Sequence, residues 1–172
     1  MRNELTKRIL TSIILFLILF LAIIYSGLYL IILLITFYLL SVYEVIKNTK
    51  NLSFIFFSVT LLFFSFFSFY FLRGNTNESL IVFLWILTAT FFSDIGGYIF
   101  GKIFKGKKLT KISPNKTYSG LIGSIILSCT SLPLTNFGQI FYFNKLLLNF
   151  YEFNFLILTI FISLVCQSGD LF

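Results

Sequence analysis

The sequence predicts an all-α, polytopic integral membrane protein with about six transmembrane helices. Its 172 residues are 58% hydrophobic and 20% aromatic but only 11% charged, a composition outside the range of soluble domains. The apolar residues form continuous runs of about 16–22 residues, close to the ~20 that a helix needs to cross a ~30 Å hydrocarbon core. Because the strands of a membrane barrel alternate apolar and polar residues, continuous runs favour helices.

Three apolar runs occupy the first part of the chain. Residues 9–25 and 28–45 are separated only by the dipeptide 26–27, which predicts a tight helical hairpin. The polar segment 47–51 leads to a third run, residues 52–72, which is rich in phenylalanine and contains several serines. Serine hydroxyls can bond back to their own helix, so these serines need no functional role.

Three further apolar runs follow a polar turn. They predict spans at residues 79–101, 118–134 and 153–167. A cytoplasmic lysine-rich loop at 102–117 joins the first two, and a connection through 137–149 joins the last two. The sequence contains no internal repeat, so we treat 1–172 as a single transmembrane domain.

The distribution of basic residues predicts that both chain ends face the cytoplasm. If the spans alternate in direction, eleven of the thirteen lysines and arginines fall on one side, and only Arg73 and Lys145 fall on the other. By the positive-inside rule the richer side is cytoplasmic. The net charge of +7 is then explained by topology, and no nucleic-acid partner is expected. The eleven are Arg2, Lys7, Arg8, Lys47, Lys50, Lys102, Lys105, Lys107, Lys108, Lys111 and Lys116.

The residue types that are missing or buried exclude several kinds of site. The sequence has no histidine, which excludes Ser-His and Cys-His catalytic pairs and zinc sites built on imidazole. Both cysteines, Cys129 and Cys166, lie within apolar runs, so we interpret them as small buried hydrophobic residues. Any metal is therefore expected on carboxylates.

Asp94 is the first candidate functional residue because it lies inside an apolar span. A carboxylate at mid-bilayer costs roughly 2.5–3.5 kcal/mol on insertion scales, so it needs a partner, a cation or a watery cavity. Asp94 precedes Lys102 by eight residues, about 12 Å along a helix, which suits a pocket that opens to the cytoplasm. A neutralised acid that only aids packing is the alternative. Ser93, Gly97 and Gly101 recur at four-residue spacing and predict a face for close approach.

The loop after this span carries more positive charge than topology alone requires. Six lysines fall within residues 102–116, together with the hydroxyls of Ser113 and Thr117. Lysines and hydroxyls ahead of a helix start are typical of phosphate binding, and Ser113-Pro114 places such a start just before the fifth span. Attraction to anionic lipid headgroups is the competing interpretation.

Four blocks of residues between 90 and 172 resemble a known family. The blocks are Asp94-Ile-Gly-Gly-Tyr98-Ile-Phe-Gly101-Lys102, Gly106-Lys107-Lys108-Leu109, Ile112-Ser113-Pro114-Asn115-Lys116-Thr117-Tyr118-Ser119-Gly120 and Gly169-Asp170-Leu171. Their order and spacing resemble the phosphatidate cytidylyltransferase (CDP-diacylglycerol synthase) family. Its members carry an aspartate-to-tyrosine helix, a glycine-lysine segment, a Ser-Pro-x-Lys-Thr-x-(Glu or Gln)-Gly block and then Gly-Asp-Leu.

The resemblance implies transfer of a cytidylyl group from CTP to phosphatidate at the inner cell membrane, with Mg²⁺ as the cofactor. It implies that Asp94, Lys116 and Asp170 are catalytic, and that Asp94 and Asp170 hold the metal. It further implies substrate binding by Lys102, Lys107, Lys108, Ser113, Pro114, Thr117 and Gly120. Membrane lipid is the remaining partner, and the sequence leaves a homodimer open.

The sequence departs from the family pattern in three places. Asn115 takes a position that is variable in the family but often lysine or glycine. Ser119 stands where the family usually has an acid or an amide. The family also continues past Gly-Asp-Leu with a Lys-Arg pair, a Lys-Asp and a terminal His-Gly-Gly…Asp-Arg…Asp signature, so we expect residues 1–172 to correspond to the N-terminal portion of the family fold. Two alternatives stay open: a CTP-dependent lipid kinase of the polyprenol or phytol type, and an inactive membrane fragment or scaffold.

Overall fold

The computed structural model describes residues 2–109, 113 and 116–169, and within these residues all regular structure is helical apart from one isolated β-bridge. The seven helices are α1 (Arg2–Tyr25), α2 (Gly27–Asn48), α3 (Leu52–Arg73), α4 (Asn77–Phe104), α5 (Tyr118–Cys129), α6 (Ser131–Phe143) and α7 (Phe153–Gly169). The prediction of an all-α fold is confirmed.

Five helical segments of the described chain are long and apolar enough to cross a membrane. They are Thr6–Tyr25, Gly27–Asn48, Leu52–Arg73, Asn77–Phe104 and Tyr118–Phe143, the last of which combines α5 and α6. Helix α7 is also apolar but has only 17 residues, about 25 Å at 1.5 Å per residue. These segments are those of a polytopic membrane protein, as the apolar runs predicted.

The chain divides into two compact units, Met1–Leu80 and Ile81–Phe172. In the first unit, α1 and α2 form the expected hairpin, and α2 packs against α3. The hairpin turns at Ser26 and Gly27, whose φ angles are 49° and 60°. Glycine adopts such a positive φ without steric cost, which allows so short a connection. Tyr38 of α2 lies edge-on to Phe66 of α3, with ring centroids 5.9 Å apart.

Arg73, at the end of α3, is a buried cation. Its side chain is 3% exposed and donates hydrogen bonds to the carbonyl oxygens of Ile23 and Ile24, in the last turn of α1. The last carbonyls of a helix lack intrahelical partners and carry partial negative charge, so a guanidinium stabilises them. Arg73 therefore has a structural role in tying α3 to the end of α1.

The second unit has an aromatic core at one end. Trp85 of α4 packs against Phe150 and Phe155, with ring centroids 5.3 Å from each. Ile81 and Leu132 complete the buried cluster. Because these residues come from α4, α6, α7 and the segment before α7, the cluster fixes those elements together.

The structure differs from the predicted connection through residues 137–149. Helix α6 continues to Phe143, so that the connection is residues 144–152. Asn136 and Gln139, each 2% exposed, hold this connection with their amide oxygens. Gln139 Oε1 accepts from the backbone nitrogens of Leu147 and Leu148 at 3.0 and 2.9 Å, and Asn136 Oδ1 accepts from that of Phe150 at 3.1 Å.

Candidate functional site

A cavity of about 320 Å³ lies in the second unit, where the end of α4, the start of α5 and the end of α7 meet. Its wall includes backbone from Gly97 and Gly120, apolar side chains, and four polar side chains. The polar ones are Lys116, Thr117, Gln167 and Ser168. Three of the residues predicted for substrate binding or catalysis, Lys116, Thr117 and Gly120, are therefore brought together by the fold.

Glycines allow α4 and α5 to approach closely beside this cavity. A Cβ on Gly120 would lie 2.8 Å from the carbonyl oxygen of Gly97, and a Cβ on Gly101 would lie 3.1 Å from Thr117 Oγ1. Gly96, which the sequence analysis did not single out, meets Gly123 in the same way. The small-residue face predicted at Gly97 and Gly101 is thus used for contact between helices, with the cavity at its edge.

Three buried serines join α4, α5 and α7 below the cavity. Ser93 Oγ and Ser163 Oγ are 3.0 Å apart, and Ser163 donates to Ser124 Oγ at 3.3 Å. None of the three is measurably exposed. Interhelical hydrogen bonds between small polar side chains contribute on average about 0.6 kcal/mol in membrane proteins, so the set orients the helices more than it stabilises them.

The lysine-rich segment folds back on itself before α5. Leu109 N donates to the carbonyl oxygen of Lys116 at 2.8 Å, and Tyr118 N donates to that of Lys107 at 3.0 Å. These bonds flank the isolated bridge between Lys108 and Thr117. The pairing carries Lys116 back to the end of α4, although eleven residues separate it from that helix end in sequence.

Thr117 caps the start of α5. Its Oγ1 accepts from Gly120 N at 3.1 Å and lies 3.0 Å from Ser119 Oγ. Threonine at this position satisfies a backbone N–H that the first turn of a helix leaves unpaired. Ser119, the residue that departs from the family pattern, also accepts from Gly106 N at 3.3 Å and so holds the segment before the bridge.

Lys116 reaches α7 across the cavity. Its Nζ donates to Gln167 Oε1 at 3.5 Å, and the side chain is half-buried. Gln167 itself is 7% exposed. The ammonium group of Lys116 therefore contributes positive charge to the cavity wall.

The other predicted lysines lie elsewhere. Lys102, Lys107 and Lys108 are exposed and are not among the described residues that line the cavity. The sequence predicts Lys102 as the first residue of the loop, whereas the structure places it in the last turn of α4. Its Nζ donates to the hydroxyl of Tyr98 at 3.3 Å. The Ser113 carbonyl oxygen accepts from Lys116 N at 3.2 Å, which places Ser113 in the turn before Lys116.

Asp94 is exposed on α4, one helical turn before Gly97. It is not among the described residues that line the cavity, but residues three apart on a helix share a face, so its carboxylate lies on the side of α4 that leads to Gly97. The two remaining predicted site residues, Pro114 and Asp170, lie outside the described residues.

The described residues contain no cluster of three or more histidine, cysteine, aspartate or glutamate side chains. They therefore hold no preformed cage for a metal. Mg²⁺, however, is often bound by one or two carboxylates together with substrate phosphates, and it keeps several waters. Asp94, three residues before Gly97 of the cavity wall, is a carboxylate that could serve as the protein's share of such a site.

Gln167 is the residue that sequence reasoning missed. It was treated as the last residue of an apolar span, whereas the structure buries it at the cavity beside Lys116. The signal was present, because an amide within an apolar helix is costly without a partner. Its position three residues before Asp170 was a second signal.

Comparison with known proteins supports the resemblance seen in the motifs. The profile of the Cytidylyltransferase family matches residues 47–172. The chain is 34% identical to a phosphatidate cytidylyltransferase of Staphylococcus saprophyticus over 109 residues, which cover 60% of this chain and 37% of that protein. It is 35% identical to a phosphatidate cytidylyltransferase of Rickettsia felis over 107 residues, which cover 57% of this chain and 42% of that protein.

A third relative, a phosphatidate cytidylyltransferase of Rickettsia typhi, is 33% identical over 112 residues, which cover 59% of this chain and 44% of that protein. The match thus spans less than half the length of these curated relatives. No solved structure matches the chain.

Proposed function

Since this chain belongs to the cytidylyltransferase family, we propose that the protein containing it transfers a cytidylyl group from CTP to phosphatidate. The products are CDP-diacylglycerol and pyrophosphate. The observation that carries the proposal is the match over residues 47–172, which includes the whole cavity with Lys116 and Thr117 in its wall. The relatives in which the matched region is found are named for this activity.

The reaction suits a site built for positioning and charge neutralisation. A phosphate oxygen of phosphatidate attacks the α-phosphorus of CTP, a new P–O bond forms, and the bond to the pyrophosphate leaving group breaks. No covalent bond to the protein is needed, so the protein contributes by orienting two anions and by stabilising their charge.

We assign Lys116 the central role at the cavity. Its ammonium group, held at 3.5 Å by Gln167 Oε1, would offset the charge that builds on the phosphates as the new bond forms. Thr117 would place its hydroxyl and the first turn of α5 toward a phosphate, and Gly120 would let that phosphate approach the backbone. Ser113 would shape the turn that delivers Lys116, since its carbonyl oxygen accepts from Lys116 N. Pro114 remains a substrate-binding residue that the family resemblance implies.

Lys102, Lys107 and Lys108 have a different proposed role. Since their side chains are exposed outside the cavity, we assign them to attracting anionic substrates and lipid headgroups toward it. Asp94 and Asp170 are the proposed carboxylates for Mg²⁺, which when bound would neutralise phosphate charge. Asp94 would in addition orient the polar face of α4.

The proposed location is the inner cell membrane, with the lysine-rich segment 102–117 on the cytoplasmic side. CTP is a cytoplasmic nucleotide, so this orientation puts the cavity on the side from which CTP arrives. The positive-inside distribution of the basic residues supports the same orientation. Cysteine accessibility on intact cells, at positions in 102–117 and in 144–152, tests it, and light scattering of the purified protein tests a homodimer.

The activity is tested with CTP that is labelled at the α- or at the γ-phosphorus. The protein is expressed from its complete coding sequence and incubated in mixed micelles with phosphatidate and Mg²⁺. Incorporation of the α-label into lipid, without the γ-label, supports cytidylyl transfer. Incorporation of the γ-label supports the lipid-kinase alternative, and no incorporation of either label supports the scaffold alternative. The Asp94→Asn protein is the inactive control.

A further inference from the structure

The amide oxygen of Gln167 has a hydrogen-bond partner, whereas its amide nitrogen has none among the described residues. Oε1 accepts from Lys116 Nζ, whereas Nε2 is buried without a hydrogen-bond partner among the described residues. The side chain is 93% buried and forms part of the cavity wall. A buried donor left unpaired costs about 1–3 kcal/mol, so the native site is expected to supply an acceptor.

The backbone of α4 leaves room for this amide. A Cβ on Gly97 would lie 2.9 Å from Gln167 Nε2, which is closer than a carbon can approach without displacement. Only glycine at this position lets the amide lie flat against α4 while it borders the cavity. The Gln167 side chain is therefore held between Gly97 on one side and Lys116 on another.

The surroundings of Nε2 select the kind of acceptor. The neighbouring polar groups in the cavity wall are the Lys116 ammonium and the hydroxyls of Thr117 and Ser168, and no described residue in that wall is acidic. An amide N–H donates only to an acceptor atom, and the positive charge of Lys116 close by favours an anionic oxygen over a neutral one. Apolar walls from Leu121 and Leu164 would strengthen such charge-assisted bonds by excluding water.

We propose that Gln167 is a phosphate-binding residue: Nε2 donates to a phosphate oxygen of a substrate while Oε1 positions Lys116 for the same phosphate. The inference rests on the proposed function for the identity of the substrates. The phosphate belongs either to CTP or to phosphatidate, which share this chemistry, and the kinetic test distinguishes the two.

The decisive variant is Gln167→Glu, because glutamate has the same shape. Its carboxylate keeps an acceptor for Lys116 but replaces the N–H donor with a negative charge. We expect the KM for one substrate to rise at least tenfold, with a smaller change in the KM for the other. A rise for CTP alone assigns the site to the nucleotide, and a rise for phosphatidate alone assigns it to the lipid. An unchanged KM for both substrates would overturn the inference.

A second variant approaches the amide from the opposite wall. Gly97→Ala displaces the Gln167 amide without changing any charge, so it should raise the same KM as Gln167→Glu does. Gly138→Ala is the matched control, since a Cβ there has nothing within 4 Å, and it should leave both KM values unchanged. A Gly97→Ala protein that folds and keeps both KM values would contradict the proposal.

Ligand binding separates this inference from the proposed function. Thermal stabilisation of the purified, full-length protein is measured with CTP, with short-chain phosphatidate and with pyrophosphate, in wild type and in Gln167→Glu. If wild type shows no cytidylyl transfer, the proposed function fails; a stabilisation that wild type shows and Gln167→Glu loses still supports phosphate binding by Gln167. Equal behaviour of the two proteins with all three ligands overturns it.

Discussion

Gly96 of α4 and Gly123 of α5 face each other so closely that a Cβ on Gly96 would lie 2.5 Å from the carbonyl oxygen of Gly123. The obstacle is backbone, which cannot rotate away as a side chain can. The two helices therefore depend on this glycine pair for their approach, and the cavity wall formed by Gly97 and Gly120 depends on that approach.

Gly96→Ala is expected to destabilise the protein by about 1–3 kcal/mol, the usual cost of overpacking a close contact. The melting temperature in detergent, followed by fluorescence-detected size exclusion, measures the effect. Gly138→Ala, where the added methyl group meets open space, should melt like wild type. Identical melting of the Gly96→Ala and Gly138→Ala proteins would mean that α4 and α5 are not this close.

Asp94→Asn is expected to lower cytidylyl transfer about 100-fold or more in the full-length protein while leaving membrane insertion intact. The amide has nearly the same shape but lacks the charge proposed to hold a cation near the phosphates. Glu78→Gln is the control, because Glu78 lies in the first turn of the same helix and has no assigned role. Activity of Asp94→Asn within a few-fold of wild type would remove Asp94 from the site.

Lys116→Ala is expected to lower kcat/KM for CTP or phosphatidate by about tenfold to a hundredfold, since it removes the ammonium group from the cavity wall. Lys47→Ala, in the last turn of α2, should have little effect. Lys107→Ala and Lys108→Ala should fall between the two, because both side chains are exposed outside the cavity. Equal effects of all four substitutions would reduce the lysine-rich segment to a topological feature.

Gln139→Leu is expected to loosen residues 144–152. It leaves the backbone nitrogens of Leu147 and Leu148 without their acceptor, at about 1–3 kcal/mol for each buried group. Protease cleavage within 144–152 and a lower melting temperature are the expected readouts. Gln139→Glu retains the acceptor oxygen but replaces the amide that donates to the Leu148 carbonyl oxygen with a buried charge, so it should also lower the melting temperature. A Gln139→Leu protein with the melting temperature and protease resistance of wild type would contradict the role of Gln139 in holding this connection.

The apolar runs of the sequence predict the positions of the helices better than their ends. The apolar runs identified all of the long helices because hydropathy over about twenty residues is a local property. The connection after the fifth span was placed too early, since Asn136 and Gln139 look like loop residues in isolation. In the fold their amides are buried and bind the backbone of the true connection, which hydropathy does not reveal.

The candidate site was predicted in part. Lys116, Thr117 and Gly120 stand together in the sequence, and the structure brings them to one cavity. Lys108 pairs with Thr117 in the bridge and Lys107 comes directly before it, and both side chains are exposed. The sequence could not distinguish Lys116 from the other lysines of the segment, because all of them are the same residue type and have similar neighbours along the chain.

The sequence by itself determined that this is a polytopic helical membrane protein of the cytidylyltransferase family. The helices follow from apolar runs and the family from motif blocks, and both are patterns of neighbouring residues. Only the tertiary structure decided which of the lysines reaches the cavity and that Gln167 joins it. Those two facts depend on α7 packing against α5 and on the glycine contacts between α4 and α5. Contacts of this kind join residues as far apart in the chain as Lys116 and Gln167, and no local pattern encodes them.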